Sequence, residues 1–404
     1  MKKVLIIGAS ILQLPAIKKA KELGYYVGVA DYNPNAIGIS YADEYYNVST
    51  IDIDGIVEVA KKFNPDGIMT LATDMPMRAV AKACEICGLP GISYETALKA
   101  TDKGEMIKAF ELNNVEHPWY YIIKSENELK EIINKISYPC IMKPTDNAGS
   151  RGVVLCNDKL ELVNMYGYSL EESRGGDVIV EEYLQGPEFS VEVMVVDGEP
   201  HILQITDKLT TGTPHFVEMG HSQPTNQNDE VKDKIRSLAS RACQAVGINI
   251  GPAHVEMILT KDGPKMVELG ARMGGDCITT HLVPLSTGID MVASTIKLVC
   301  GEKINIEAKV DKGAAIRYIQ TKPGVIKSID NVAVAKSVEG IREISIVHEV
   351  GEYIGELGNS NDRIGFVIAQ EKTAEEAIEA CEKAIKIVDV IVDESENRNS
   401  SEVK

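Results

Sequence analysis

The chain has 404 residues, 44% of them apolar, with 33 glycines and 16 prolines, a globular composition that excludes a disordered or fibrous protein. That length accommodates about two or three domains. The formal charge of −18 repels phosphate-rich surfaces, so neither nucleic acid nor an anionic membrane is expected as a partner, although a small anion can bind where a few basic groups converge.

Met1-Lys2-Lys3 leads directly into the apolar strand pattern KVLIIGA, without the long apolar helix of a secretory signal. No stretch approaches the ~18 apolar residues of a membrane span. With eight scattered cysteines, the chain reads as a reduced cytoplasmic protein with free thiols. Up to about residue 95, strands and amphipathic helices alternate: KVLIIGA, LPAIKKAKELG stopped by Gly24, YYVGVAD ending in Asp31, DIDGIVEVAKKFN, PDGIMTLAT and MRAVAKACEICG. This rhythm predicts a parallel sheet with helices on both faces. The first turn, Gly8-Ala9-Ser10-Ile11-Leu12-Gln13, supplies one of the three glycines of a dinucleotide fingerprint, so NAD or FAD is not expected. Ligands still favour the carboxyl ends of such strands, which makes Asp74, just after TLAT, a candidate border of a substrate site. Its structural alternative is a cap for a helix near Pro76. Cys84 and Cys87 have CxxC spacing but stand at a helix end without a second pair, and they read as packing.

A helix is predicted from Lys103 to about Asn113, capped by Thr101 or Asp102. A lysine in the first turn opposes the helix dipole, a cost that makes sense if a polyphosphate lies there. CIMKP places Lys143 at the end of a buried strand, where a lysine needs an anion. The loop over 146–152 offers small residues and backbone N–H groups suited to phosphate oxygens, and a strand resumes at GVVLCN. This predicts a flap in a β-hairpin, not a Walker motif, in which the lysine follows the glycines and opens a helix. VIVEEYLQGPEFSVEV leaves a strand through Glu181 and Glu182, crosses Tyr183-Leu184 and reaches Glu188. Such a segment can offer backbone groups to a purine edge and Glu188 to ribose hydroxyls, or it is an interdomain linker with solvated acids. A hairpin is predicted at Asp197-Gly198, a long loop over TTGTPHFVEMGHSQPTNQND, and a helix over 229–246.

HVEMILTKDGPKMVELGAR reads as a second hairpin turning at Asp262-Gly263. With residues 261–263 as a three-residue loop, Thr260 pairs with Pro264 and Glu256 faces Glu268. Facing carboxylates repel unless they share a cation or a proton. Oxygen-only ligands favour Mg²⁺, which bridges to phosphates. Arg272, in GARMGGD, offers a guanidinium fork to a metal-bound phosphate or a substrate carboxylate, and Gly270, Gly274 and Gly275 give the backbone room. Asp276 and His281 are weaker candidates, and Cys277 reads as packing.

Taken together, these motifs resemble the ATP-grasp superfamily, in particular the carboxylate–amine ligases related to L-amino-acid ligases, biotin carboxylase and the formate-dependent purine transformylase. The likeness extends over nearly the whole chain. It implies an α/β protein: a preATP-grasp open parallel sheet domain over 1–100, a two-lobed ATP-grasp α+β domain over 101–305, and a small C-terminal mixed domain over 306–404 with a polar tail. By the resemblance, Lys103 and Lys143 look like the two nucleotide lysines, with Ser150 and Gly152 in the glycine-rich flap. Glu181, Tyr183 and Leu184 look like the adenine-facing segment, Glu188 like the ribose ligand, and Glu256 and Glu268 like the magnesium ligands. Arg272 looks like the arginine that steadies an acyl-phosphate. Where the family often has asparagine two places after the second glutamate, this chain has Gly270. HFVEMGHSQP resembles the amino-acid-ligase branch, which makes Glu218 and His221, and less strongly Asp207 and Lys208, candidates for recognising the amino substrate. The implied chemistry is ADP-forming: ATP with Mg²⁺, or alternatively Mn²⁺, activates a small-molecule carboxylate as an acyl-phosphate that an amine attacks. The alternatives are a formyl- or carboxyphosphate-forming enzyme and a non-catalytic ATP-binding protein. A homodimer is the family expectation.

Overall fold

A computed structural model describes residues 1–147, 149, 151–213 and 215–394. Contacts divide the chain into two compact units, Met1–Ile205 with Gln227–Lys309, and Thr206–Asn226 with Val310–Lys404. The architecture is mixed α/β, as the sequence predicts.

The first unit opens with a parallel sheet whose strands lie in the order Glu44–Tyr46, Tyr26–Ala30, Lys3–Ile7, Gly67–Met69. Its helices cover both faces because strand side chains alternate. Val4 and Ile6 pack with Ala16 and Ile17 of the helix Leu14–Glu22. Leu5 and Ile7 pack with Ile56 and Phe63 of Ile53–Phe63 and with Ala79 and Ala83 of Met77–Cys87. Asp31, at the end of the second strand, accepts the N–H groups of Ala9 and Asn33 at 2.7 and 2.9 Å and holds the first turn closed.

An antiparallel sheet follows in the same unit, ordered Tyr120–Ile123, Val178–Glu182, Cys140–Pro144, Val154–Cys156. The last two strands form the predicted hairpin, with Cys140 opposite Cys156 and Met142 opposite Val154. A third layer packs the helices Lys103–Leu112 and Asp229–Val246 against Glu188–Val196, Gly251–Thr260 and Gly263–Gly270, through Met106, Phe110, Val191, Leu238, Ala242 and Val255. Asp102, not Thr101, caps Lys103–Leu112, accepting the Glu105 N–H at 3.0 Å; Thr101 ends the preceding helix, Tyr94–Thr101. The Asp197-Gly198 turn has both residues at positive φ, 51° and 81°, as a two-residue hairpin demands.

In the second unit, strands Glu218–Gln223, Gly313–Ile319, Gly365–Glu371 and Ile341–Ile346 are neighbours in that order, with the helix Ala374–Ile385 against them. The strand Glu218–Gln223 corrects the long loop read from the sequence. Its residues, EMGHSQ, carry no apolar alternation. It becomes a strand because neighbours supply its ladder on both sides, His221 pairing with Lys208 and with Ile316. Among the described residues, no single helix is long and apolar enough to cross a membrane.

Candidate active site

The two hairpin glutamates are register partners: Glu256 lies opposite Glu268. The turn that produces this differs from the sequence reading. Thr260 pairs with Gly263 and Leu259 with Pro264, so the loop has two residues. A β-bulge then inserts Val267, with Met257 opposite Met266 and Glu256 opposite Glu268. Two deviations of one residue cancel.

Each carboxylate is already engaged. Glu268 Oε2 receives the Lys103 ammonium at 2.9 Å, and that ammonium also donates to the Asn147 carbonyl at 2.8 Å. Burial pushes the Glu268 pKa up and Glu256 adds to this, but Lys103 and Lys143 outweigh both and hold it below the usual carboxylate range. Burial alone depresses the Lys103 ammonium; Glu268 reverses the sign and raises it. Lys103 reaches the site because its own backbone N–H is anchored on the Thr145 carbonyl, at 2.8 Å, at the foot of the flap. Glu256 Oε1 lies 3.1 Å from His254 Nε2, whose Nδ1 lies 2.7 Å from Glu192 Oε1. Glu192 is fully buried, and its Oε2 has no partner. Burial pushes the imidazole down, but the two carboxylates reverse this and raise its pKa to about 9, so both ring nitrogens donate at neutral pH.

Lys143 is 6% exposed and sits 2.6 Å from Glu181 Oε2 on the neighbouring strand. The two are diagonal in the ladder, Ile141 facing Glu181 and Lys143 facing Ile179, which puts them on one face. Arg272 forms a bidentate pair with Asp74, Nε to Oδ1 at 3.0 Å and the terminal Nη2 to Oδ2 at 2.8 Å. Burial works against its charge, and Asp74 more than restores it, so its pKa is raised. Gly270 lies beneath this pair: a Cβ there would meet Asp74 Oδ1 at 2.6 Å and Arg272 Nε at 2.9 Å. Lys103, Glu268, Arg272 and Asp74 line one cavity of about 260 Å³, with Arg78, Arg174, Asp146 and an apolar wall that includes Ile51, Ile53, Met75 and Tyr94.

The remaining expected residues divide into several groups. Gly152 ends the flap at φ 75°, where a Cβ would strike Pro144 and Glu172 at 2.8 Å; its carbonyl accepts the Ser169 hydroxyl. Packing by itself therefore demands a glycine at 152. Ser150 lies outside the described residues. Leu184 is buried and Tyr183 half-buried just beyond the strand Val178–Glu182. Glu188 opens the next strand opposite Ile258. Glu218 and His221 belong to the second unit. There Glu218 lies 3.9 Å from Lys208, and His221 is 1% exposed with its ring edge-on to Tyr318. Sequence reasoning missed Glu192 and His254. Their signal was present: His254 and Glu256 are two apart on a strand and so share a face, and His254 pairs in register with Glu192.

A family model described as an ATP-grasp domain matches residues 136–280, and one described as L-amino acid ligase C-terminal domain 2 matches residues 317–393. The chain carries an ATP-grasp domain, and it closely matches the carboxylate–amine ligases of that superfamily. It is similar to the alanine–anticapsin ligase of Bacillus subtilis (strain 168), 28% identical over 318 residues, covering 72% of this chain and 66% of that protein. The phosphoribosylglycinamide synthetase of Anaerococcus prevotii superposes with a TM-score of 0.79 at 27% identity, over 97% of this chain and 100% of that one. The L-amino acid ligase of Bacillus licheniformis shares the fold, with a TM-score of 0.85 at 22% identity over 97% and 99% of the two chains. As an ATP-grasp enzyme, the chain uses ATP and Mg²⁺ in ADP-forming ligation of a carboxylate to an amine. The donors at the hairpin fit the metal. Both are carboxylates, and among the described residues no group of three His, Cys, Asp or Glu side chains could hold an ion unaided. An ion at Glu256 and Glu268 would complete its shell with phosphate oxygens and water, the habit of Mg²⁺.

Proposed function

We propose that the chain joins two amino-acid-like substrates, activating the carboxylate of one and coupling it to the amine of the other. The observation that carries this reading is the facing pair Glu256 and Glu268, with Lys103 on the second carboxylate and Arg272 in the same cavity. The match of residues 317–393 to an L-amino acid ligase domain and the likeness to alanine–anticapsin ligase support the substrate class.

In this reading, Glu256 and Glu268 hold Mg²⁺, which when bound screens the charge of the phosphate oxygens. Lys103 and Lys143 contact phosphate oxygens, exchanging part of their present pairing with Glu268 and Glu181 for the ligand. Glu181, Tyr183 and Leu184 face the adenine, and Glu188 the ribose. Gly152 and Ser150 belong to the flap that excludes water from the acyl-phosphate. The substrate carboxylate oxygen attacks the γ-phosphorus, ADP leaves, and the amine nitrogen attacks the acyl carbon, expelling phosphate. Arg272, its planar guanidinium oriented by Asp74, is the donor fork for negative charge on the moving phosphoryl or on the acyl oxygen. His254 keeps Glu256 aimed from behind, and Glu192 keeps His254 charged.

The test is ADP and phosphate release over paired amino acids, with E268Q as the blank. Release that requires two amino acids supports the reading. Release only with glycine and a sugar-phosphate amine would replace it with the second reading, which the likeness to phosphoribosylglycinamide synthetase favours.

A further inference from the structure

Arg78 stands out among the charges of the cavity. It lies in the first turn of the helix Met77–Cys87, whose N-cap, Pro76, makes no side-chain cap bond and whose first turn holds no acid. A cation there opposes the helix dipole. Lys103 is also a first-turn cation, at the start of Lys103–Leu112, so two helix N-termini open on the same cavity, each carrying a positive side chain. Lys103 is compensated by Glu268 and Arg272 by Asp74, while the fourth cation, Arg174, is exposed with its Nη1 against the Met75 sulfur. Arg78 Nε donates to the Thr101 hydroxyl at 2.7 Å, which fixes one edge of the guanidinium. Among the described residues, no carboxylate pairs with it.

We propose that Arg78 binds a second anionic group of the substrate, so that the acid accepted carries a carboxylate or a phosphate besides the carboxylate that reacts. This rests on the ligase reading of the same cavity. The four cations that line the cavity outnumber its three carboxylates, in a chain whose net charge is −18, so the local excess runs against the bulk. A role confined to tying Met77–Cys87 to the end of Tyr94–Thr101 requires only a neutral donor to Thr101. A guanidinium with its terminal nitrogens unspent is instead the group that recognises an oxyanion with two parallel hydrogen bonds. The wall of Ile51, Ile53, Met75 and Tyr94 leaves room for the short apolar stem between the two anionic ends.

The experiment is a thermal-shift titration of the full chain with Mg²⁺ and a non-hydrolysable ATP analogue. The ligands are succinate, L-aspartate, L-glutamate and O-phospho-L-serine, against butyrate, L-alanine and L-methionine. The wild-type protein should bind the doubly anionic acids about 10- to 100-fold more tightly than their neutral-tailed counterparts. R78Q, which retains a donor for Thr101 but no charge, should abolish the preference, and R78K should keep part of it. The phosphoserine arm, set against the dicarboxylates, identifies which oxyanion is taken. Equal binding of both classes by wild type, no binding of either class, or a preference that survives in R78Q would overturn the proposal. A lower melting temperature for ligand-free R78Q with the preference intact would assign Arg78 to structure alone. ADP release from the same samples reports separately on the ligase reading: turnover without the preference sinks only the role of Arg78, and the preference without turnover sinks only the ligase.

Discussion

Lys143 and Glu181 lie 2.6 Å apart with side chains 8% and 7% exposed, so each has lost most of its hydration for the sake of the other. A buried pair of this kind adds little over an apolar pair of the same shape, but losing one member strands a buried charge. K143M should therefore cost about 3–5 kcal/mol in urea unfolding, and K143M/E181L should recover most of it while still failing to bind ATP. His254 makes a pH prediction. Its folded pKa, about 9, is raised above the ordinary 6.5 by Glu192 and Glu256 acting against burial. The stabilisation it supplies is complete below pH 6.5 and is lost as pH rises through 9. The loss is on the order of 3 kcal/mol. With a chelator present, the melting temperature of the wild type should fall between pH 6.5 and 9.5 by more than that of H254Q.

At the scale of elements, the strand ending in Gly270 explains why this chain departs from the asparagine common in its family. The space over Gly270 is filled by the Asp74–Arg272 pair, so any side chain there must displace it. G270N should lower kcat by about tenfold or more, and an Asp74–Arg272 pair left unchanged in a structure of that variant would contradict the account. The elements themselves were legible to different degrees. The helices were readable because their ends carry chemical signals: Asn228 caps Asp229–Val246, and Gly247, in the left-handed region, stops it. The flap hairpin was readable because an apolar run, a glycine-rich tip and a second apolar run have few other arrangements. The strand Glu218–Gln223 was not readable, because its identity is set by neighbours distant in sequence. The facing of Glu256 and Glu268 was legible, but the path to it was not, since a bulge is a choice between close energies that the sequence of one hairpin does not reveal. Likewise, Asp74 stood out in the sequence, but its partner, 198 residues away, did not.

For the whole molecule, the chain does not divide at one point. The second unit takes residues Thr206–Asn226 from the middle of the sequence and Val310–Lys404 from its end. A chain cut after Lys309 would leave the strand Glu218–Gln223 without its partner Gly313–Ile319, an open edge that invites intermolecular pairing. Such a truncation should be recovered in the insoluble fraction, and a soluble monomer would contradict this. The central claim is that Glu256 and Glu268 together hold the ion that carries ATP. The most direct measurement is calorimetric titration of ATP into wild type and E256Q/E268Q, with and without Mg²⁺. Wild type should bind ATP at least about 100-fold more tightly with Mg²⁺ than without, and the double variant should bind equally weakly in both. Undiminished Mg²⁺-dependent binding by a folded E256Q/E268Q would contradict the account.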